Sequence, residues 1–549
     1  MKFHIYIFLI IILAASDISG AEPEGFDAGY RSLSASDFSR HLNFLGSDLF
    51  EGRGTGQMGG NLAAKYLALE LDRIGLVPMG SENTFYQYVP MHGSYPLRGS
   101  KMKLLMNGGS RDMELWRDYL IYRSAGQVYF PNPKQLVFAG YGIIAPEYDY
   151  NDYHSIDVAG KIVVMLGGEP HADDPDYFSG QKRTIYSHPD TKLRLALSLG
   201  ADGSIIIPDP DEYEFLKWDE MRYDYAFEDV SLAYAVNAHL SVLINPVAAN
   251  QLFAGSQYSL KDIFEMHERG AIESFPLETS LTFDGEFRER DFVSPNIIGM
   301  IRGSKFPDSY VLVSAHYDHL GIGPPVEGDS IYNGVMDNAA GCAALLCLAR
   351  AFSLPEVRPQ RSILFVLTTG EEKGALGAKY YTDHPVAPLH KTIANVNIDG
   401  IALFHKFRSI VAIGAGLTNL DSLLEDVARR NNLEITGIPA GFEQQESFAF
   451  SDQLAFAREG IPSIMIYEGP DYSDMTREEG LYKLINYSRN IYHTPFDDLS
   501  QPLNYEAALQ HVRLLYEYIY KLANSDIAPR WYPGAIYRNA RLRNNAEGK

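Results

Sequence analysis

Residues 311–341, VLVSAHYDHLGIGPPVEGDSIYNGVMDNAAG, constrain this chain more than any other stretch. The apolar run 311–315 predicts a buried parallel strand, because a strand covered on both faces reads as continuous rather than alternating hydrophobicity. It delivers His316, Tyr317, Asp318 and His319 at its carboxyl end. A Gly- and Pro-rich loop follows, and Asp337-Asn338-Ala339-Ala340-Gly341 then opens an apolar helix expected to run to about residue 352. Ligands of open α/β sheets bind outside the carboxyl ends of the strands, so a His and an Asp at this edge are metal-site candidates.

With 549 residues the chain exceeds one ordinary core, and at least two domains are expected. The balance of 70 acidic against 47 basic residues, a net charge of −23, argues against a nucleic-acid partner. Met1-Lys2 and the apolar run 5–15 have the form of a signal peptide, followed by small residues up to Ala21. The run is short for a membrane span, and no Cys lies near it to carry a lipid. The expectation is an exported protein, periplasmic or extracellular, with no stable membrane anchor once residues 1–21 are removed. Cys342 and Cys347, the sole cysteines, fall five apart in the predicted helix, on different faces, and read as small core residues.

Residues 22–31 read as a disordered lead. Ser34 caps a predicted helix through residue 45, with Asp37 at the capping-box position. Phe50-Glu51-Gly52-Arg53-Gly54-Thr55-Gly56 is glycine-rich but lacks the strand before it and the Lys-Ser/Thr after it that a phosphate loop needs. Residues 59–75 have helical periodicity with Leu62, Tyr66 and Leu69 on one face. From 85 to 131 the pattern is of short strands. Between 116 and 289, the segment 136–142 is followed by a turn feeding a strand at 158–166, an expected helix at 192–199 and a turn and another strand at 200–207, with no metal-type side chains gathered at strand ends. Regular α/β alternation resumes at Asn296. Strands are expected at 296–301, 310–315, 362–368, 392–398, 409–413 and 462–467, and helices at 338–352, 417–431 and 505–524. Parallel strands with intervening helices predict a three-layer α/β/α sandwich with a mostly parallel sheet. The tail after Ala528 shows little periodicity and is expected to be irregular.

Three predicted strands end in acidic or imidazole groups at one edge: His316, then Glu371-Glu372 after 363–367, then Asp399 after 393–398. His493 lies in a loop before the last helix. Singly each has an ordinary reading: a structural histidine, an acidic helix start, an N-cap at Asp337, a turn at Asp399-Gly400. Together they have the composition of a site for two Zn²⁺ ions, which at about 3.5–4 Å apart need one bridging carboxylate and terminal N/O ligands for each. His316, Asp337, Glu372, Asp399 and His493 meet that count. Glu371 is left beside a ligand but free of the metal, as a general base must be. Asp318 is placed to accept the His316 imidazole N–H. His319, His390 and His405 are read as structural or surface residues.

The chain resembles the M28 family of metallopeptidases, the co-catalytic zinc aminopeptidases. The resemblance rests on Ala315-His316-Tyr317-Asp318, Met336-Asp337-Asn338-Ala339-Ala340-Gly341, Thr369-Gly370-Glu371-Glu372, Asn397-Ile398-Asp399 and Tyr492-His493-Thr494. Phe50-Glu51-Gly52-Arg53, Ser451-Asp452 and Gly460-Ile461-Pro462 support it. It implies one zinc on His316 and Asp399, a second on Glu372 and His493, Asp337 bridging, a cis Asp337-Asn338 peptide, and peptide substrates. Tyr492 is the candidate for a tyrosine that steadies the oxyanion in some relatives. The segments Ala139-Gly140-Tyr141-Gly142, Gly160-Lys161-Ile162-Val163-Val164 and Gly200-Ala201-Asp202-Gly203-Ser204-Ile205-Ile206-Ile207 resemble a protease-associated (PA) domain, a noncatalytic insert of secreted peptidases. The expected organisation is a peptidase domain in two pieces, 30–115 and 290–525, a β-rich PA-like insert at 116–289 and an irregular tail from 526.

The activity these resemblances imply is hydrolysis of the N-terminal peptide bond, with Glu371 moving the proton. A carboxypeptidase or dipeptidase of the same fold would need a cation for the substrate carboxylate, for which Arg489 is the candidate. A glutaminyl cyclase fits a retained two-metal set less well. A noncatalytic binding protein on this scaffold is disfavoured because no ligand position is missing.

Overall fold

A computed structural model describes residues 24–548, apart from 124–125, 172–173, 175, 181–182, 214–216, 237–238, 440–447 and 449. The signal-like run 1–21 lies outside the described residues. Two sheets organise the rest. The larger has ten strands, and its centre is four parallel strands in the spatial order Arg361–Thr368, Phe306–His316, Thr392–Asn397 and Ser463–Glu468. Antiparallel strands flank this centre: Phe287–Ile301 and Tyr86–Pro96 on one side, Ser409–Ile413 on the other. The sheet is therefore mixed, parallel where the candidate residues sit.

Helices cover both faces of this sheet, as a three-layer sandwich requires. On one face, Ala340–Phe352 packs with Ala35–Leu45, Met58–Ile74 and Tyr505–Asn524 in the largest apolar core. Twelve of the thirteen residues of Ala340–Phe352 are buried, which explains its apolar sequence on all sides. Leu376–Asp383 and Gln453–Arg458 cover the other face through Ala378, Tyr381, Ala455 and Phe456. Cys342 and Cys347 are free and buried in the first core.

Several expectations need correction. Glu24–Ser32 is a helix, not a disordered lead; Phe26 is buried against Tyr516, and the Tyr516 hydroxyl donates to the Phe26 carbonyl at 3.2 Å. Ser34 caps Ala35–Leu45 by accepting from the Asp37 N–H, yet Asp37 turns to Arg40 and Arg350 rather than closing a capping box. The helix Met58–Ile74 exists, but its buried face is Ala63, Ala64, Leu67, Ala68 and Leu71, whereas Leu69 is 66% exposed. Small side chains win that face because the helix start presses on the preceding loop: a Cβ on Gly59 would stand 1.6 Å from the Phe50 carbonyl oxygen. The tail is not irregular. Arg538–Glu547 is a helix whose Arg541 donates to the carbonyls of Leu389 and Thr392, while Trp531 Nε1 donates to the Gly460 carbonyl.

The second sheet has eight strands. Tyr129–Phe138, Ile162–Leu166, Gly203–Ile207 and Leu240–Ile244 form its parallel part. Lys101–Met106 and Gly109–Met113 also belong to it, so this sheet starts before residue 116. Conversely Asp229–Leu232, from within 116–289, pairs with Tyr86–Pro96 of the main sheet.

Candidate active site

The register of the parallel strands explains why the candidate residues converge. His316 is paired with Thr368, three residues before Glu371, and Ser314 with Asn397, two before Asp399. All three groups therefore leave the sheet at one level of its carboxyl edge. Asp337 arrives on the turn before Ala340–Phe352, and the Asp337–Asn338 peptide is cis. His493 follows the helix Arg477–Asn490.

Asp337 stands between two clusters. Its Oδ1 is 3.2 Å from His316 Nε2, which is also 3.1 Å from Asp399 Oδ1. Its Oδ2 is 3.2 Å from His493 Nε2, which is also 3.1 Å from Glu372 Oε2. The His493 Nε2 approaches are close in distance but unaligned as hydrogen bonds, and this nitrogen has no hydrogen-bond partner. Three overlapping groups of buried and half-buried donors, {His316, Asp337, Asp399}, {His319, Asp337, Glu372, His493} and {His316, Glu371, Glu372}, each bring their atoms within 4.8 Å of one another. Buried carboxylates at this density require compensating positive charge. Mixed imidazole and carboxylate donors around a shared Asp suit a pair of divalent transition ions.

The charges respond as the geometry dictates. Burial alone would lower the His316 pKa, but the carboxylates of Asp399 and Asp337 raise it well above the usual value. Burial opposes ionisation of Glu372, yet His493 and His319 hold its carboxyl down at about 2. Glu371 goes the other way: burial, then the neighbouring Asp399, Asp452 and Glu372 carboxylates, push it well above the carboxylate range. Two adjacent residues of one type are thus separated by environment, the condition for giving them different tasks.

Asp318 is fully buried, but the imidazole N–H expected on its carboxylate is not there. His316 Nδ1 meets the Asp318 backbone carbonyl at 3.1 Å and lies 4.0 Å from Oδ1. The carboxylate instead accepts the Glu371 backbone N–H at 3.1 Å and the Thr55 hydroxyl at 2.8 Å. Tyr492 is at the mouth, 39% exposed, its ring stacked on His493 at 3.8 Å. Arg489 is exposed.

Four supporting residues have roles that the sequence did not assign to them. His319 is fully buried, and its Nδ1 lies 2.5 Å from Glu372 Oε1. Asp497 accepts the backbone N–H groups of Met336 and Asp337, at 3.0 and 3.1 Å. Ser451 donates to Asp399 Oδ2 at 2.6 Å. Arg53 is buried and donates to the carbonyls of Leu45, Tyr317, Asn333, Gly334 and Asp337. Its guanidinium fixes the turn that carries Asp337 to the strand end that carries His316. The Phe50–Arg53 motif is therefore a brace, and Arg53 adopts positive φ to make it. The signal for His319 and Asp497 was adjacency, one residue past Asp318 and three past Thr494.

Residues 116–289 were expected to gather no metal-type side chains; in the fold His171, Asp209, Asp211 and His267 come together. The same segment also borders the candidate site. A cleft of about 280 Å³ is lined by Glu372 and Lys373 together with Arg123, Asp190, Phe227 and Asp229.

Comparison with known proteins agrees with this geometry. Residues 296–519 match the model of Peptidase family M28. A "probable leucine aminopeptidase 2" of Aspergillus oryzae is 27% identical over 263 residues, covering 45% of this chain and 48% of that protein. A "Probable glutamate carboxypeptidase VP8" of Zea mays is 28% identical over 218 residues, covering 36% of this chain and 28% of that protein. The chain thus spans less than half the length of these curated relatives. The solved aminopeptidase from Aneurinibacillus sp. strain AM-1 superposes with a TM-score of 0.55 at 17% identity, covering 92% of this chain and 97% of that one, which shows a shared fold. The family match runs from the strand beside the parallel centre through the last core helix, so over residues 296–519 this chain is similar to peptidase family M28.

Proposed function

We propose that this protein is an exported zinc exopeptidase that removes N-terminal residues from peptides and holds two Zn²⁺ per chain. The observation that carries the proposal is the division of Asp337: one carboxylate oxygen faces His316 and Asp399, the other faces His493 and Glu372. His316 and Asp399 would hold one ion, Glu372 and His493 the other, with Asp337 shared. When bound, the ions would acidify a water and polarise the scissile carbonyl.

The chain's own residues supply the rest. Glu371 takes the proton of the attacking water and returns it to the leaving amine, as a carboxylate beside Glu372 that is left out of the proposed ligand set. Asp318 sets the Glu371 backbone through its N–H, and Thr55 fixes Asp318 in turn. His319 and Ser451 orient Glu372 and Asp399. Tyr492, at the mouth and stacked on His493, is the phenol available to the developing oxyanion. The PA-like segment contributes Arg123, Phe227 and Asp229 to the wall of the adjoining cleft and so takes part in choosing the substrate. Export is supported by the apolar run near the N-terminus.

A carboxypeptidase reading has one observation in its favour. Lys373, directly after Glu372, lines the cleft and is a cation for a substrate carboxylate. A peptide panel decides between the two. The aminopeptidase reading predicts cleavage of peptides with a free N-terminus, C-terminal amides included, and poor cleavage after N-acetylation. Efficient cleavage of N-acetylated peptides, with none of C-terminal amides, would replace it by the carboxypeptidase reading.

A further inference from the structure

The second sheet repeats, on a small scale, the geometry of the first. Ile162–Leu166 and Gly203–Ile207 are adjacent and parallel, and chemistry-bearing side chains follow their carboxyl ends. His171 comes after the first, Asp209 and Asp211 after the second, and the helix Leu260–Glu268 brings His267 over them. One donor atom from each of the four lies within 4.8 Å of all the others.

The contacts are those of a cation site. His171 Nε2 lies 2.7 Å and His267 Nε2 3.5 Å from the same oxygen, Asp211 Oδ2. Neither approach is aligned as a hydrogen bond, the pattern His493 shows in the candidate active site. The His267 side chain is only 4% exposed, and its Nε2 is aimed at the Asp211 carboxylate. Its other nitrogen, Nδ1, meets the Tyr141 hydroxyl at 2.7 Å. That contact orients the ring so that Nε2 is the atom presented, as the outer contacts of metal-bound histidines do. Asp209 is fixed as firmly: the Asp211 backbone N–H donates to Oδ1 and Arg183 to Oδ2, both at 3.0 Å. His171 and Asp211 are 52% and 59% exposed, leaving one side open to water.

We propose that His171, Asp209, Asp211 and His267 form a separate site for one divalent transition-metal ion, of which Zn²⁺ is the best match to two imidazoles and two carboxylates. Tetrahedral bonds of about 2.0–2.2 Å would hold the donors roughly 3.4 Å apart, close to the separations already present. The ion would tie the helix Leu260–Glu268 to the loops after two strands of the PA-like segment. Its work is structural and lies apart from the peptidase centre.

The test counts metal on the full-length protein. Stripped wild type and a His171→Ala/Asp211→Asn variant are dialysed against micromolar Zn²⁺, desalted and analysed for bound zinc. Both replaced side chains are more than half exposed, and a thermal melt checks that the variant folds; His267→Ala is the second variant. The expected result is one zinc per chain fewer in the variant, with kcat on a peptide unchanged within about twofold. A His316→Ala/His493→Ala variant should still bind the ion that the His171→Ala/Asp211→Asn variant loses. Because the readout is a difference between two proteins with intact peptidase centres, it does not depend on how many ions that centre holds. Equal zinc in wild type and in both variants of this site would overturn the proposal, as would loss of this ion on changing His316 and His493.

Discussion

Replacing Arg53 by Met removes the brace of the peptidase centre while keeping most of its volume. Five carbonyls accept from the guanidinium, four of them at 3.0 Å or less, and the side chain is 1% exposed. A buried acceptor left unsatisfied costs about 1–3 kcal/mol, and bonds to charged donors lie at the strong end of the range. If two of the five carbonyls find no other donor, the loss is about 2–6 kcal/mol, a large share of the roughly 5–15 kcal/mol that holds a domain folded. The effect has a direction as well as a size. Three of the acceptors, Asn333, Gly334 and Asp337, belong to the turn that carries the shared carboxylate. The turn should loosen before the sheet does, so zinc retention should fall more steeply than helix content. Urea unfolding followed by circular dichroism, with zinc analysis of the same samples, measures both. Arg53→Lys, which keeps the charge with fewer donors, should fall between. A loss below about 1 kcal/mol with full zinc content would refute the brace.

Other positions carry smaller, separable effects. His319→Gln should leave Glu372 in place but less firmly oriented, weakening zinc affinity by about 10–100-fold, as read by competition with a chromophoric chelator; unchanged affinity would return His319 to a packing role. Asp318→Asn retains the size and the contact with the Glu371 N–H through its amide oxygen, so zinc should be kept while kcat falls; loss of zinc instead would make Asp318 part of the metal set. N-acetylation of a good peptide substrate should abolish its cleavage, and undiminished turnover would move the assignment to the carboxyl end.

The peptidase centre was legible in the sequence because a buried parallel strand leaves an unbroken apolar run that stops where its functional residue begins. His316, Glu372 and Asp399 each stand just past such a run, and register then puts them side by side. Arg53 could not be read this way, since its acceptors are up to 284 residues distant and are backbone atoms, which carry no sequence signature. His171 and His267 are likewise far apart in sequence, and they meet only once two strands and a helix are packed. The helix Met58–Ile74 was placed correctly but turned the wrong way: close approach favoured Ala63, Ala64 and Ala68 over larger apolar side chains. The tail helix Arg538–Glu547 shows no apolar stripe because polar side chains dock it, Arg541 and Asn544 on backbone carbonyls.

The central claim is that neighbouring carboxylates divide the chemistry, Glu372 holding metal and Glu371 moving the proton. Glu371→Gln keeps the size of the side chain and removes the base. Zinc content and kcat measured on one purified sample test the claim most directly. The account predicts zinc content equal to wild type and a kcat lower by at least about 10²-fold, the usual range for general acid–base catalysis. Loss of zinc with turnover per remaining metal preserved would contradict it and exchange the two roles.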